Sequence, residues 1–184
     1  KVNADAAYDS ASEGTYSDSR VNTILQAAII QKVTGQSYRS VIQDLLDQLE
    51  LDQTTFGLKN KTVDYYESGD SLNGTKVSLD DLDTKAINRL GKDQLVSSPS
   101  DMAQLFNYLF NSDYVAPATL DKVFKDAKGD HAAGFSVDGN SLSLAQSIAG
   151  GRNRVEWNLK DQTGTFLFSN YVNGEDNLAS ISTN

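Results

Sequence analysis

Three linked stretches decide how this chain folds: Tyr16-Ser17-Asp18-Ser19, then Val33-Thr34-Gly35-Gln36-Ser37-Tyr38, then Leu51-Asp52-Gln53-Thr54-Thr55-Phe56-Gly57. Asp18 or Ser19 can accept hydrogen bonds from the free N–H groups that open a helix, the ordinary N-cap arrangement. Behind them Val21, Ile24, Leu25, Ala28, Ile29 and Val33 recur at helical spacing, which predicts a helix over Val21–Val33 with one buried face. Gly35 follows as a stop, because glycine enters the left-handed conformation cheaply. Ser37 caps a second predicted helix, which carries Val41, Ile42, Leu45, Leu46 and Leu49 on one side.

Working outward, residues 51–94 are mixed and polar, and Asn73-Gly74 signals a turn between short edge strands at Thr62–Tyr66 and Thr75–Val77. Ser97-Ser98-Pro99-Ser100-Asp101 starts a helix with Met102, Leu105, Phe106, Leu109 and Phe110 behind it, and a short helix is expected over 118–126. The period then changes. Ala133–Val137, Ser141–Ile148, Arg154–Leu159 and Thr165–Tyr171 alternate apolar with polar, separated by Asp138-Gly139-Asn140, Gly150-Gly151 and Thr163-Gly164. This predicts an antiparallel meander of three or four strands. Helices first and strands afterwards imply an α+β fold, with the sheet of the C-terminal half packed against helices. The 184 residues read as a single domain, with an opening loop over 1–19, a mainly helical part over 20–130, antiparallel strands over 131–172 and a tail over 173–184.

Composition narrows the function. A net charge of −9 disfavours nucleic acid, whose phosphates need clustered Lys and Arg, and equally disfavours docking on anionic lipid. There is no cysteine, so disulfide and thiolate chemistry are excluded. No apolar run approaches the roughly 20 residues of a spanning helix. Lys1-Val2-Asn3 opens without Met and shows no signal peptide, so the chain reads as processed or trimmed. Its uncharged-polar surface favours a secreted mesophilic protein. His131, the sole histidine, has no partner at metal-ligand spacing, and neither a metal nor a cofactor is expected.

The order of these stretches resembles the middle of serine β-lactamases and penicillin-binding-protein-like hydrolases of the class C and D-Ala-D-Ala carboxypeptidase branch. Tyr16-Ser17-Asp18 is similar to the family's Tyr-Ser-Asn loop. Val33 to Tyr38 is similar to its Val-Thr-Gly-x-Ser-Tyr, and Leu51 to Gly57 to its Leu-Gly-Met-x-x-Thr-x-Phe. Leu95-Val96-Ser97-Ser98-Pro99-Ser100-Asp101-Met102-Ala103 resembles Gly-Leu-x-Ser-Thr-x-x-Asp-Leu-Ala and is the most specific match. Ala149-Gly150-Gly151-Arg152-Asn153-Arg154-Val155 stands where the family has its His/Lys-Thr-Gly strand and the turn after it. The chain departs from the pattern in three places. No Ser-x-x-Lys nucleophile occurs, Asp18 replaces the usual Asn, and Ile148-Ala149-Gly150 keeps the glycine of the third motif without its polar groups.

The resemblance implies Tyr16 as a catalytic base, Ser17 as a proton shuttle, and Asp18, Gly150 and Gly151 as substrate-binding positions; Arg152, with Arg154, forms a local basic pair beside the glycines that could hold a substrate carboxylate bidentately. Plainer readings stand beside each. Tyr16 is an aromatic staple next to a cap, Asp18 an N-cap, the glycine pair a tight turn, and Arg152 and Arg154 solvated charges. The implied activity is acyl transfer or hydrolysis on a D-Ala-D-Ala-type peptidoglycan peptide, a β-lactam or a small ester, at a bacterial cell surface or outside the cell. Without a nucleophile the chain as it stands is expected to be incomplete. One alternative is a non-enzymatic secreted binding module on the same scaffold, and another is an unrelated exported α+β domain. An exposed sheet edge is expected to recruit a second copy or a complementing chain.

Overall fold

The computed structural model describes residues 16, 19–57, 63–67, 75–76, 95–125, 130–148 and 150–172. Among the described residues four helices precede the main sheet: α1 (Arg20–Thr34), α2 (Tyr38–Gln48), α3 (Pro99–Asn111) and α4 (Pro117–Lys125). Their ends follow local chemistry. Ser19 Oγ accepts the Val21 N–H at 3.2 Å, Ser37 Oγ that of Ser40 at 3.1 Å, and Ser98 Oγ that of Asp101 at 3.1 Å. Gly35 closes α1 at φ 71°, donating its N–H to the Gln31 carbonyl.

The face that α1 buries differs from the predicted one. The helix lies against α2, and of its predicted apolar face Val21 and Ile24 are only half-buried. Ala27, outside that face, is fully buried, while Leu25, Ile29 and Val33 are 48%, 60% and 79% exposed. Apolar residues lie on more than one side of this helix, and α2 covers only one side.

A five-stranded antiparallel sheet follows in the order β5 (His131–Ala132), β6 (Phe135–Asp138), β7 (Ser141–Ile148), β8 (Gly151–Asn158) and β9 (Thr163–Ser169). The α+β class and the packing of helices on this sheet are as the sequence implies, but three of the four predicted strands shift. Ala133–Val137 begins inside a turn, because Ala133 (φ 50°) and Gly134 (φ 88°) both enter the left-handed region and fold β5 onto β6. β8 starts at Gly151, three residues before the expected Arg154, because Ile148 pairs with Gly151 and leaves a two-residue loop. Thr163-Gly164 is strand rather than turn. The turn lies at Leu159–Gln162, where Asn158 Oδ1 accepts the N–H groups of Lys160 (2.9 Å) and Asp161 (3.0 Å). Gly164 serves a different need. A Cβ there would stand 2.5 Å from the Trp157 ring and 2.9 Å from the Glu156 carbonyl oxygen, so only glycine lets the indole lie across the strand pair.

Thr165–Tyr171 is likewise not one strand. It breaks at Asn170, whose side chain donates to the Asp64 carbonyl at 2.7 Å. The chain then leaves the main sheet as β10 (Tyr171–Val172), parallel to β2 (Tyr66–Glu67), which pairs antiparallel with β3 (Thr75–Lys76). The expected edge-strand pair is thus present in part, and its Asn73-Gly74 turn lies outside the described residues. A third pairing joins β1 (Thr55–Phe56) to β4 (Leu95–Val96).

Helix α3 is the middle layer. One side presents Phe106, buried to 2% exposure, with its ring centroid 5.2–5.8 Å from those of Phe110, Phe135, Trp157 and Phe166. Leu142 and Val155 complete that core from the sheet. The other side gives Leu105 and Tyr108 to a second cluster built on Leu46, Leu49 and Leu51. Among the described residues no helix is long and apolar enough to cross a membrane.

Candidate functional site

The β7–β8 turn carries the glycine pair. Gly150 adopts φ 72° and is buried, and its N–H points at Glu67 Oε1, 3.1 Å away on β2. A backbone N–H in a left-handed turn is a natural seat for an anionic oxygen, and here a carboxylate occupies it. Gly151 opens β8 and is also buried. Arg152 follows, half-buried, in register between Ser147 of β7 and Ser169 of β9. Arg154 is engaged locally: its Nε and Nη2 both reach Glu156 Oε1, at 2.7 and 2.6 Å. Arg152 and Arg154 therefore share a face of β8, but Arg154 already holds a carboxylate of its own strand.

Tyr16 lies elsewhere. Its ring, 49% exposed, stacks on His131 with centroids 3.9 Å apart and planes 11° from parallel. His131 is in turn held on both nitrogens. Nδ1 is 2.6 Å from Asp130 Oδ1, and Nε2 is 3.3 Å from Ser136 Oγ across the β5–β6 hairpin. The hydrogen bond from His131 holds the Asp130 carboxyl below its ordinary range. Ser17 and Asp18 lie outside the described residues.

Strand register gives the separation of these two groups. His131 aligns with Ser136, and Ser136 with Ser143, whereas the glycine turn begins five residues further along β7 after Ile148, roughly 16 Å at the rise of an extended strand. The structure therefore brings Gly150, Gly151 and Arg152 together and does not bring Tyr16 to them.

The Tyr16–His131 group borders the polar outer face of the sheet. There Asp130, Ser136, Ser143, Arg154 and Glu156 line an open concavity of about 690 Å³. Ser136, His131 and Asp130 stand in the order of a base-assisted hydroxyl, but Asp130 is 80% exposed and water competes for every bond. The sequence did not reveal this grouping. Asp130 and His131 are adjacent, but Ser136 joins them only because Ala133-Gly134 turns the chain, and Ala-Gly is a weak turn signal. No group of three or more His, Cys, Asp or Glu suited to a metal gathers among the described residues.

The segments Leu51–Gly57 and Leu95–Ala103 meet each other. The buried Asp101 accepts the Gln53 N–H at 2.9 Å and the Thr54 hydroxyl at 2.7 Å, both on Oδ2, and Thr54 Oγ1 lies 2.8 Å from Ser97 Oγ. Arg39 of α2 covers the Phe56 ring at 4.9 Å. These contacts make the two segments a brace that fixes α2 and α3 relative to each other.

Helices laid on one face of an antiparallel sheet, the Thr54–Asp101 brace and the glycine turn together define a β-lactamase-type α+β scaffold. The chain belongs to the β-lactamase family, whose model matches residues 5–171. Among solved structures it is similar to FmtA from Staphylococcus aureus (TM-score 0.74, 20% identity, 94% of this chain and 50% of that one). It is also similar to a penicillin-binding protein from Bacillus halodurans (0.65, 13%, 92% and 56%) and to a D-stereospecific amidohydrolase from Streptomyces (0.59, 13%, 85% and 50%). At these identities the likeness is one of fold, and the chain spans about half the length of each structure. Among curated proteins no relative matches.

Proposed function

We propose that this chain is part of a serine acyl-transfer or hydrolysis machinery, acting on a D-Ala-D-Ala-type cell-wall peptide, a β-lactam or a small ester outside a bacterial cell, and that these residues alone are catalytically incomplete. One observation carries the reading: the family match runs over residues 5–171, yet no Ser-x-x-Lys occurs among the 184. Acyl transfer needs a nucleophile, a base and donors for the oxyanion. Here the Gly150 N–H, which already binds a carboxylate oxygen, is the group suited to an oxyanion, with Gly151 extending the turn. Arg152 beside it supplies positive charge for a substrate carboxylate. The resemblance makes Tyr16 the candidate base, Ser17 the candidate shuttle and Asp18 the replacement for the amide that would steer substrate, and Tyr16 would have to leave His131 to serve the glycine turn. Loss of a nucleophile costs orders of magnitude in rate, and nothing in this set replaces it.

A fluorescent penicillin is the direct test. The purified chain is expected to carry no covalent label after denaturing electrophoresis. A stoichiometric adduct would overturn the incompleteness, and Ser136 beside His131 would be the first serine to replace.

A second reading, a non-enzymatic interaction module on the same scaffold, is favoured by the stacking of Tyr16 on His131 rather than at the glycine turn. The gene sequence before Lys1 separates the two. A Ser-x-x-Lys after an apolar strand supports the enzyme, and a different sequence supports the module.

A further inference from the structure

We infer that Glu67 is a built-in stopper of the anion seat at Gly150, which a ligand must displace before it can use that N–H. The seat is the one that the acyl-transfer reading gives to a substrate oxygen, and the inference rests on that reading. Gly150 is buried and left-handed at φ 72°, and its N–H donates to Glu67 Oε1 at 3.1 Å, across 83 residues of chain. A carboxylate oxygen is the closest match that a protein side chain offers to the oxyanion of acyl transfer. The resident group therefore competes for the donor with the species that the donor would serve.

Two features make this contact a stopper rather than a tie. The strand that carries Glu67 is held without it: β2 pairs with β10 and β3, the Tyr66 N–H donates to the Asn170 carbonyl at 2.9 Å, and Asn170 Nδ2 donates to the Asp64 carbonyl at 2.7 Å. Glu67 is also exposed although the glycine it meets is buried, so its carboxylate closes the seat from the solvent side and has water to leave into. Arg152, two residues beyond Gly150 and half-buried, adds positive charge that favours an anion of either origin. A tethered carboxylate competes at a high effective concentration. If it fills the seat about nine-tenths of the time, an external ligand binds about tenfold more weakly than it would to the open seat. A neutral carbonyl accepts more weakly than a carboxylate, so the stopper holds back ligands that bind through this one bond.

Acetate, a minimal carboxylate, is the probe, and the Gly150 amide resonance of the ¹⁵N-labelled protein is the readout. Glu67→Ala is expected to move that resonance, since the amide loses a charged acceptor, and to bind acetate at Gly150 about tenfold more tightly than the unaltered protein. Glu67→Gln, whose amide oxygen still accepts without charge, should fall between the two. Asp64→Ala removes the exposed ion pair between Asp64 and Lys76 of β3, at 2.8 Å, and should leave both the resonance and the acetate affinity unchanged. Equal acetate affinity in Glu67→Ala and the unaltered protein, or the same gain from Asp64→Ala, would overturn the stopper. Should Glu67→Ala not fold, Glu67→Gln decides, and an unchanged acetate affinity there sinks the proposal. Stopper and acyl transfer fail separately. A tenfold gain in a protein whose gene holds no Ser-x-x-Lys leaves Glu67 guarding an anion site that does no acyl transfer. An upstream Ser-x-x-Lys without any gain keeps the acyl-transfer reading and removes the stopper.

Discussion

Helices α1 and α3 are both built with apolar residues at helical spacing, and they meet opposite surroundings. α3 is covered on two sides, with Phe106 against the sheet and Leu105 and Tyr108 against the leucines of α2 and its following turn. α1 is covered by α2 on one side and leaves Leu25, Ile29 and Val33 in water. An amphipathic pattern records that a face is to be buried, but not which part of the molecule buries it. In α3 the covering residues lie downstream in the same 184. In α1, part of the cover the pattern calls for is not supplied by the described residues.

The contrast gives the largest expected effect. Phe106→Ala should cost about 3–5 kcal/mol, since it empties the centre of an aromatic cluster. Ile29→Ala should stay within about 0.5 kcal/mol. Urea unfolding of the two variants side by side checks both. Comparable losses would mean that α1 is packed as tightly as α3, and the distinction between them would collapse.

Next in size is the brace between the layers. Asp101→Ala leaves the Gln53 N–H and the Thr54 hydroxyl without their acceptor in a buried setting. A loss of about 2–3 kcal/mol is expected from hydrogen bonds made to a charged group. Asp101→Asn, which keeps one acceptor oxygen, should recover part of it. A neutral Asp101→Ala would show that α2 and α3 are held by leucine packing alone.

How far the sequence spoke depended on the kind of signal. Ser19, Ser37, Ser98 and Gly35 were legible because capping is decided by one or two neighbouring residues. The α+β class was legible because the period changes once. Tight turns were harder. Ala133-Gly134 went unread because alanine rarely enters the left-handed region, and Thr163-Gly164 was misread because a glycine needed for close approach looks like one needed for a bend. The candidate site was less legible still. The bond from Gly150 to Glu67 spans 83 residues and that from Asp101 to Thr54 spans 47, and no local pattern encodes either. Nor could spacing in sequence show that Tyr16 would settle on His131, since the two residues lie far apart in the chain.

Gly164 turns the misread turn into a measurement. Gly164→Ala should cost about 1–3 kcal/mol, because the added methyl must displace the Trp157 ring or the Glu156 carbonyl. Gly139→Ala is a useful partner, since it has open space around it but sits at φ 57°, so its cost is backbone strain alone. If Gly164→Ala is harmless, the indole has room to move, and the sheet side of the core is looser than the ring distances imply.

The smallest expected effect separates the two regions by pH. On the sheet side, the hydrogen bond from His131 lowers the Asp130 carboxyl, so its contribution is complete above the ordinary Asp value near 3.8 and is lost as pH falls below it. On the helical side, burial raises the Tyr38 phenol on α2 above the ordinary 10.0, and in the small sheet it does the same to Tyr65 before β2. The folded state there binds the proton more tightly than the unfolded one. Stability is therefore complete below pH 10.0 and declines as pH climbs past that value towards the raised one. Asp130→Asn should flatten only the acid end of a stability profile, and Tyr38→Phe only the alkaline end. Hydrogen exchange read at both extremes should then find the β5–β6 hairpin opening first in acid and the α2 layer first in alkali. A common order of opening at both ends would mean that the two regions unfold as one unit, however differently they are covered.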